Sequence, residues 1–231
     1  MSYFSPQRHS HLEEFETKLA NEWIHKATCG RDYVNIFKLQ RWMRGPSTSN
    51  KDLSNLQFLL IVAWANWDWQ YATEAPSSKS ISARDRCALL VFSILLELGY
   101  GHVIKIFQKG GILDNVLHAE YLDYDVIVAE LHNFHIRDAE QLVTRFEKKR
   151  WSYCPVSIKH GMARTFHAGN WVIPFCRRQA VNDKSGTAKV SHVLVQEDFV
   201  AEEVRRLISG SKIEDPEYGP VSVMISCHVE D

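Results

Sequence analysis

The sequence predicts an α+β protein, with a predominantly α-helical N-terminal domain and a small antiparallel β-rich C-terminal subdomain. Apolar residues recur at helical spacing until about residue 150. After Trp151 that spacing ends, and glycine and proline interrupt the chain more often. We therefore predict a helical domain over residues 1–150, an irregular connector over 151–169, and a β-rich subdomain over 170–231.

The first two helices are indicated by apolar spacing and by capping residues. A helix is predicted over about residues 10–26, where Ser10 and Glu13 match a capping box and the apolar residues are three or four positions apart. A second run of helical spacing extends from Tyr33 to Met43. It is expected to end at Gly45-Pro46, because glycine and proline stop helices.

The middle of the chain predicts the helical core. From Asn50, a good N-cap, to Tyr71 the sequence is apolar on more than one helical face, which is typical of a central helix. A Pro/Ser connector is expected over 75–80, and a strongly apolar helix from Cys87 to Leu98 is expected to end at Gly99. Shorter helices are predicted at about 102–108, 123–133 and 137–149.

Strands are predicted for the C-terminal part, where β-branched and aromatic residues lie between turn residues. The predicted strands are 171–181, 189–196 and 221–226. The segment 182–186 is rich in turn residues, so the first two strands are expected to form a hairpin. Asp198 is expected to cap a short helix over 199–208.

The composition is that of a chain with a sizeable core and no strong net charge. With 231 residues, 45% of them hydrophobic and 11% aromatic, disorder is not expected. Lys and Arg total 27 and Asp and Glu total 28, giving a formal net charge of -1. No global field favours nucleic acid or an anionic membrane, so neither is an expected partner.

Targeting signals and cysteine usage predict an intracellular protein. The first residues contain no apolar segment of a secretion signal, and the richest apolar run, Leu59–Trp69, is too short to span a bilayer. The five cysteines are odd in number and include no CxxC pair, which favours reduced thiols. The expected location is the cytoplasm or the nucleus.

Eleven histidines raise the hypothesis of a metal site. Glu130, His132 and His135 lie close together in the sequence, with His118 and Glu120 upstream. A zinc site needs three or four ligands on one side of a cavity, and two histidines three positions apart do not give the HExxH geometry. We therefore expect surface or core-edge histidines, no metal and no cofactor.

A cluster of large aromatic residues could form an interaction surface. Its members are Trp64, Trp67, Trp69 and Tyr71. Such a cluster can stack on bases or bind a protein, but its spacing also fits a core helix with one exposed side. We favour core packing about fourfold over a stacking platform, because large aromatic residues are mostly buried. The cluster remains the predicted interaction surface if it is exposed.

The predicted hairpin has a sharper interpretation, because a strand, a glycine-rich turn and a second strand cover the ATP phosphates in protein kinases. Val190 stands where the valine would close over adenine. The three glycine positions of the kinase motif then fall on Asp183, Ser185 and Ala188. Gly186 is the remaining glycine of this turn, so the motif is degenerate.

Four segments resemble a region of filamentous-fungal protein-kinase-like proteins: Gly110–Asp114, Phe146–Val156, Ile173–Phe175 and Gly186–Val190. The resemblance covers about residues 82–196. It implies a helical kinase-associated region and the first two strands of a kinase small lobe, with Gly186, Thr187 and Val190 binding nucleotide. The HRD catalytic loop and the DFG metal loop are expected to be missing, so phosphoryl transfer by this chain alone is not expected.

No catalytic residue is predicted, because the sequence contains no GxSxG motif and no cysteine in a recognisable nucleophile motif. The first hypothesis is a non-catalytic protein-interaction or regulatory module that binds a protein partner in a groove between helices. The alternative is a nucleotide-binding pseudokinase fragment or an unrecognised enzyme. A nucleic-acid-binding protein is a third hypothesis, which requires a basic face despite the neutral total charge.

Overall fold

A computed structural model describes residues 5–48, 51–65, 77–83, 86–162, 170–181 and 188–229. The described elements form an α+β protein, helical in its N-terminal part and antiparallel β-rich in its C-terminal part, which confirms the predicted fold class. The chain forms two compact units. One comprises Met1–Trp23 and Ile36–Tyr153, and the other comprises Ile24–Asn35 and Cys154–Asp231.

The first unit, called here the helical unit, is built mainly of helices in its described residues. Its α-helices are α1 (Ser5–Lys18), α2 (Ile36–Arg44), α3 (Asn55–Ala65), α4 (Ser78–Ser82), α5 (Leu89–Glu97), α6 (Ile104–Lys109), α7 (Asp125–Asn133) and α8 (Ala139–Arg150). A π-helical turn, Leu19–Trp23, continues α1, and 3-10 turns occupy Gly101–Val103 and Trp151–Tyr153. Every residue of α5 from Leu89 to Leu96 is buried, so this helix lies at the centre of the core.

The second unit, called here the β-rich unit, contains two antiparallel sheets. Strands β1 (Ile24–Lys26) and β2 (Asp32–Val34) form a two-stranded sheet. Strands β3 (Phe175–Ala180), β4 (Ala188–Gln196), β5 (Lys212–Asp215) and β6 (Gly219–Val229) form a four-stranded sheet in the order β3-β4-β6-β5. Helix α9 (Glu202–Leu207) lies between 3-10 turns at Glu197–Phe199 and Ser209–Ser211.

The predictions for residues 10–43 were partly wrong. Helix α1 begins at Ser5, so Ser10 lies inside it rather than at its N-cap. Ile24–Lys26 is a strand instead of the end of the first helix, and Tyr33 lies in β2 instead of the second helix. Local spacing does not reveal that these segments pair with each other as the antiparallel strands β1 and β2. Gly30, with a φ of 81°, lies in the turn between them.

The central helices begin at other caps than predicted. Helix α3 starts at Asn55, and Asn50, the predicted cap, lies outside the described residues. Ser54 and Gln57 form the capping box instead, since the Gln57 N–H donates to Ser54 Oγ at 3.2 Å and the Ser54 N–H donates to Gln57 Oε1 at 2.8 Å. The predicted end of the apolar helix at Gly99 is confirmed, with a φ of 83° there.

The connector predicted over 75–80 and the C-terminal elements differ in detail. Ser78–Ser82 is a short helix, and the Ser80 N–H donates to Ser77 Oγ as its cap. The predicted antiparallel pairing of β3 with β4 is confirmed, whereas β5 was not predicted. Asp198 does not cap α9, because it accepts a hydrogen bond from Asn35 Nδ2 at 3.1 Å and α9 begins after Ala201.

Among the helices that the structure describes, none is both long and apolar enough to cross a lipid bilayer.

Candidate functional site

The residues predicted to form sites fall largely outside the described part of the chain. Gly186 and Thr187 of the predicted nucleotide turn lie outside the described residues. For Val190, only the backbone pairing with Cys227 in β6 is described. Trp67, Trp69 and Tyr71 of the predicted interaction surface lie outside as well. Trp64 is half-buried in α3. Both site assignments stay predictions.

The histidines that the sequence raised as metal candidates are exposed in the structure. The His132 ring, exposed on α7, lies 2.8 Å from Glu140 Oε1. His118 and His135 are exposed. Within the described ranges, no group of three or more His, Cys, Asp or Glu side chains could hold a metal ion.

The β-rich unit contains a buried polar cluster built around Tyr33. The Tyr33 hydroxyl donates to Gln196 Oε1 at 3.1 Å and lies 3.4 Å from Cys176 Sγ. Gln196 Nε2 donates to the Tyr218 carbonyl at 3.1 Å, which fixes the orientation of the amide. The Phe199 ring meets the Tyr33 ring edge-on, with 5.5 Å between the centroids.

The chemistry of this cluster is that of a structural link. Burial raises the pKa of the Cys176 thiol and the pKa of the Tyr33 hydroxyl, so both groups stay protonated at neutral pH. A cysteine nucleophile needs the opposite shift, toward the thiolate. The hydrogen bonds therefore join β2 to β3 and β4 and do not activate a nucleophile.

Removing the Tyr33 hydroxyl is expected to destabilise the β-rich unit. In Tyr33→Phe the buried Gln196 Oε1 loses its donor, which costs about 1–3 kcal/mol of unfolding free energy. The measurement is urea unfolding followed by near-UV circular dichroism. Tyr121→Phe is the matched control, because the Tyr121 side chain is 81% exposed. Equal unfolding midpoints for the two variants would contradict the prediction.

A second polar cluster, around His11 in the helical unit, has the order of a hydrolase triad. Ser47 Oγ lies 3.3 Å from His11 Nε2, and Glu14 Oε2 lies 3.4 Å from His11 Nδ1. However, Asn55 Nδ2 donates to the Trp42 carbonyl, so Asn55 Oδ1 faces His11 Nε2 at 3.0 Å as an acceptor. His11 Nε2 must then carry a proton and cannot take one from Ser47.

Burial also argues against catalysis by this cluster. His11 is 0% exposed and Ser47 is 2% exposed, so no substrate reaches the serine hydroxyl. The His11 ring packs on Phe58 with 4.4 Å between the ring centroids. We therefore interpret the cluster as a polar link between α1 and α3.

A third cluster surrounds Arg150, whose side chain is fully buried at the end of α8. Its guanidinium forms two hydrogen bonds of 2.7 Å with the Glu147 carboxylate and donates to the carbonyls of Leu117 and Ala119. The guanidinium also lies over the Trp151 ring, 4.1 Å from its centroid. Four of the five guanidinium N–H groups donate to these partners, so the cluster anchors the loop before α7.

An open pocket of about 390 Å³ in the helical unit differs from these clusters, because none of its lining residues is fully buried. We call it the basic pocket. Its lining residues are Ser80, Ala83, Arg86, Lys105, Gln108 and Lys109. Among the described residues, no acidic side chain lines it, and no salt bridge is formed to its three cations. The pocket thus combines three positive charges with two polar side chains.

Helix α6 forms one wall of the basic pocket. Lys105, Gln108 and Lys109 are separated by three and four positions, so they share one helical face. Ile104 and Phe107 are buried in the core and fix the orientation of the helix. Gln108 Nε2 donates to the Ser80 carbonyl at 3.2 Å, which connects α6 to α4 across the pocket.

Arg86 also lines the pocket and lies in the segment that precedes α5. The chain after Arg86 is held by Asp114, whose carboxylate accepts the N–H groups of Leu89, Leu90 and Val91 at 2.9–3.2 Å. The Cys87 thiol donates to the same carboxylate at 3.2 Å. Burial and the neighbouring Asp114 raise the pKa of Cys87 to about 11, so this thiol beside the pocket is a hydrogen-bond donor and not a nucleophile.

The described lining of the basic pocket is suited to binding an anion. Its cations offer charge-assisted hydrogen bonds, while the Ser80 hydroxyl already donates to the Ser77 carbonyl at 2.8 Å. Sequence reasoning missed this site because Arg86 is far from Lys105 in the sequence. One signal was available, since the spacing of Lys105 and Lys109 places two cations on the polar face of a short apolar helix.

No protein-family model matches this chain, and neither a curated protein nor a solved structure matches it.

Proposed function

We propose that this chain is a non-catalytic protein-interaction module that binds an anionic side chain of its partner in the basic pocket. The observation that carries the proposal is the convergence of Arg86, Lys105 and Lys109 on one opening without a described carboxylate between them. The whole chain has a net charge of -1, so this positive potential is local and not a property of the overall composition.

The exposure of the rim favours a macromolecular partner over an enclosed small molecule. Ser80, Arg86 and Lys109 are exposed, and Lys105 and Gln108 are half-buried. Sites for small molecules bury about 70–90% of the ligand surface, which an open basin with an exposed rim does not do. A side chain can enter such a basin while the backbone of its protein stays at the surface.

The proposal is tested with a fluorescein-labelled hexaglutamate peptide, whose binding is followed by polarisation at about 50 mM salt, where screening is limited. The pocket variant Lys105→Gln/Lys109→Gln is expected to weaken binding at least about tenfold, because two charge-assisted contacts are lost. The matched control is Arg145→Gln/Lys148→Gln, which removes the same charge from exposed positions of α8. Equal weakening by both variants would show binding by net charge alone and refute the proposal.

Nucleotide binding at the β3–β4 hairpin is the second candidate function. Its support is the antiparallel pairing of β3 with β4, together with the resemblance to kinase-like proteins. The thermal midpoint is measured with and without Mg·ATP, since a ligand of the folded state raises it. ATP is itself an anion, so the pocket variant is measured in parallel. A shift that the pocket variant retains would favour the hairpin, and a shift that it loses would favour the basic pocket.

A further inference from the structure

The charge of the basic pocket indicates which anion it binds. We infer that the pocket takes a phosphorylated side chain of a protein partner, in preference to aspartate or glutamate. This inference rests on the proposed function and specifies the ligand of the same site. Its basis is the number of cations, the donors they offer and the size of the opening.

The three cations of the pocket exceed what a carboxylate can neutralise. Arg86, Lys105 and Lys109 together carry three positive charges. A carboxylate brings one negative charge, whereas a phosphate monoester brings about 1.5 to 2 at pH 7. Since like charges held at one opening repel each other, the ligand that cancels more of the charge gains more binding energy.

The free donors of the pocket also match a phosphoryl group. Ser80 donates its hydroxyl hydrogen to Ser77, and Gln108 uses one amide hydrogen on the Ser80 carbonyl. The remaining strong donors among the described lining residues are the guanidinium of Arg86 and the ammonium groups of Lys105 and Lys109 on α6. A phosphate has three acceptor oxygens, one for each of the three cations that line the pocket. An arginine fork with point-charge lysines is a frequent arrangement around phosphate.

The size of the opening agrees with this ligand. Its volume of about 390 Å³ is at the lower end of ligand pockets, which run from about 300 to 1,000 Å³. A carboxylate alone fills little of that space. A phosphoryl group with its ester oxygen and first side-chain carbons reaches further between the walls, while the exposed rim leaves room for the rest of the peptide.

The test compares three peptides that differ at one position, Gly-Gly-X-Gly-Gly-amide with X as phosphoserine, glutamate or serine, each carrying the same rhodamine label on its N-terminus. Inorganic phosphate is the competitor that represents a free anion. The phosphoserine peptide is expected to bind at least about fivefold more tightly than the glutamate peptide, and the serine peptide is expected not to bind measurably. The pocket variant is expected to lose this preference, and the control variant is expected to keep it.

A pH series supplies an independent readout. The second pKa of a phosphate monoester is about 6, so the phosphoserine peptide loses charge between about pH 7.5 and about pH 5. Its affinity is expected to fall several-fold over that range. The glutamate peptide is expected to keep its affinity, because a glutamate carboxyl titrates near about 4.3.

The outcomes separate this inference from the proposed function. Equal binding of the phosphoserine and glutamate peptides, both weakened in the pocket variant, would overturn the phosphate preference and leave the anion-binding module standing. No binding of either peptide would overturn both. An inhibition constant of inorganic phosphate equal to the Kd of the phosphoserine peptide would identify a free phosphate compound as the ligand. It would overturn the inference that the phosphate belongs to a protein partner.

Discussion

Replacement of Arg150 by alanine is expected to lower the free energy of unfolding by about 3–5 kcal/mol. The substitution removes a fully buried guanidinium that bonds to Glu147 and to the carbonyls of Leu117 and Ala119. The carbonyls then lack donors, and Trp151 loses the group that lies over its ring. Glu147 is 36% exposed and keeps the hydrogen bond from the Tyr124 hydroxyl, so most of the cost comes from the two carbonyls that lose their donor and from the lost packing of the buried side chain.

Chemical unfolding followed by circular dichroism measures this loss. Arg145→Ala is the control, because Arg145 is an exposed residue of the same helix. Arg150→Lys is a second informative variant, since it keeps the charge but loses the fork that bonds to both carboxylate oxygens of Glu147. A loss below about 1 kcal/mol for Arg150→Ala, similar to that of an ordinary surface substitution, would contradict the assignment.

Acidification is expected to destabilise the protein through His102. Burial lowers the pKa of His102 from 6.5 to about 4. Below pH 6.5 the unfolded chain binds a proton that the folded chain does not, so the unfolding free energy falls as the pH decreases toward 4. The contribution is fully present above pH 6.5, and the loss amounts to about 3 kcal/mol at most.

The variant His102→Gln removes this titration. The difference in unfolding free energy between wild type and variant is expected to change by up to about 3 kcal/mol in favour of the variant between about pH 7 and about pH 4. His118→Gln is the control, because His118 is exposed in the same unit. A difference for His102→Gln that stays constant with pH would show that His102 does not titrate with an altered pKa.

The sequence predicted an element best where the local apolar pattern alone determines its burial. Helix α5 is almost entirely apolar and is followed by Gly99, which has a positive φ. Its composition and this glycine both indicated the helix from the sequence. The β1–β2 hairpin was missed because Tyr33 fits helical spacing as well as strand spacing. Its strand conformation depends on partners far along the chain, and Gln196 is 163 positions away. No local window contains that contact.

The candidate site was not predictable for a similar reason. A pocket forms where side chains from separate segments meet, and neither Arg86 alone nor the cations of α6 alone indicate an anion site. Sequence reasoning gave weight to the tryptophan cluster and to the glycine turn because their composition stands out. Exposed lysines and arginines are common on every globular surface, so their spacing within one short helix is a weak signal.

The β-rich unit is formed by two segments far apart in the sequence, Ile24–Asn35 and Cys154–Asp231, so it cannot be completed until both have been synthesised. Tyr33 leaves the ribosome 163 residues before Gln196, its hydrogen-bond acceptor. At about 5–20 residues per second this interval is on the order of ten to thirty seconds. An isolated two-stranded hairpin is only marginally stable in water. The Ile24–Asn35 hairpin therefore lacks its stabilising partners while the residues of the helical unit are translated. The stability of this early segment thus depends on residues that are synthesised much later.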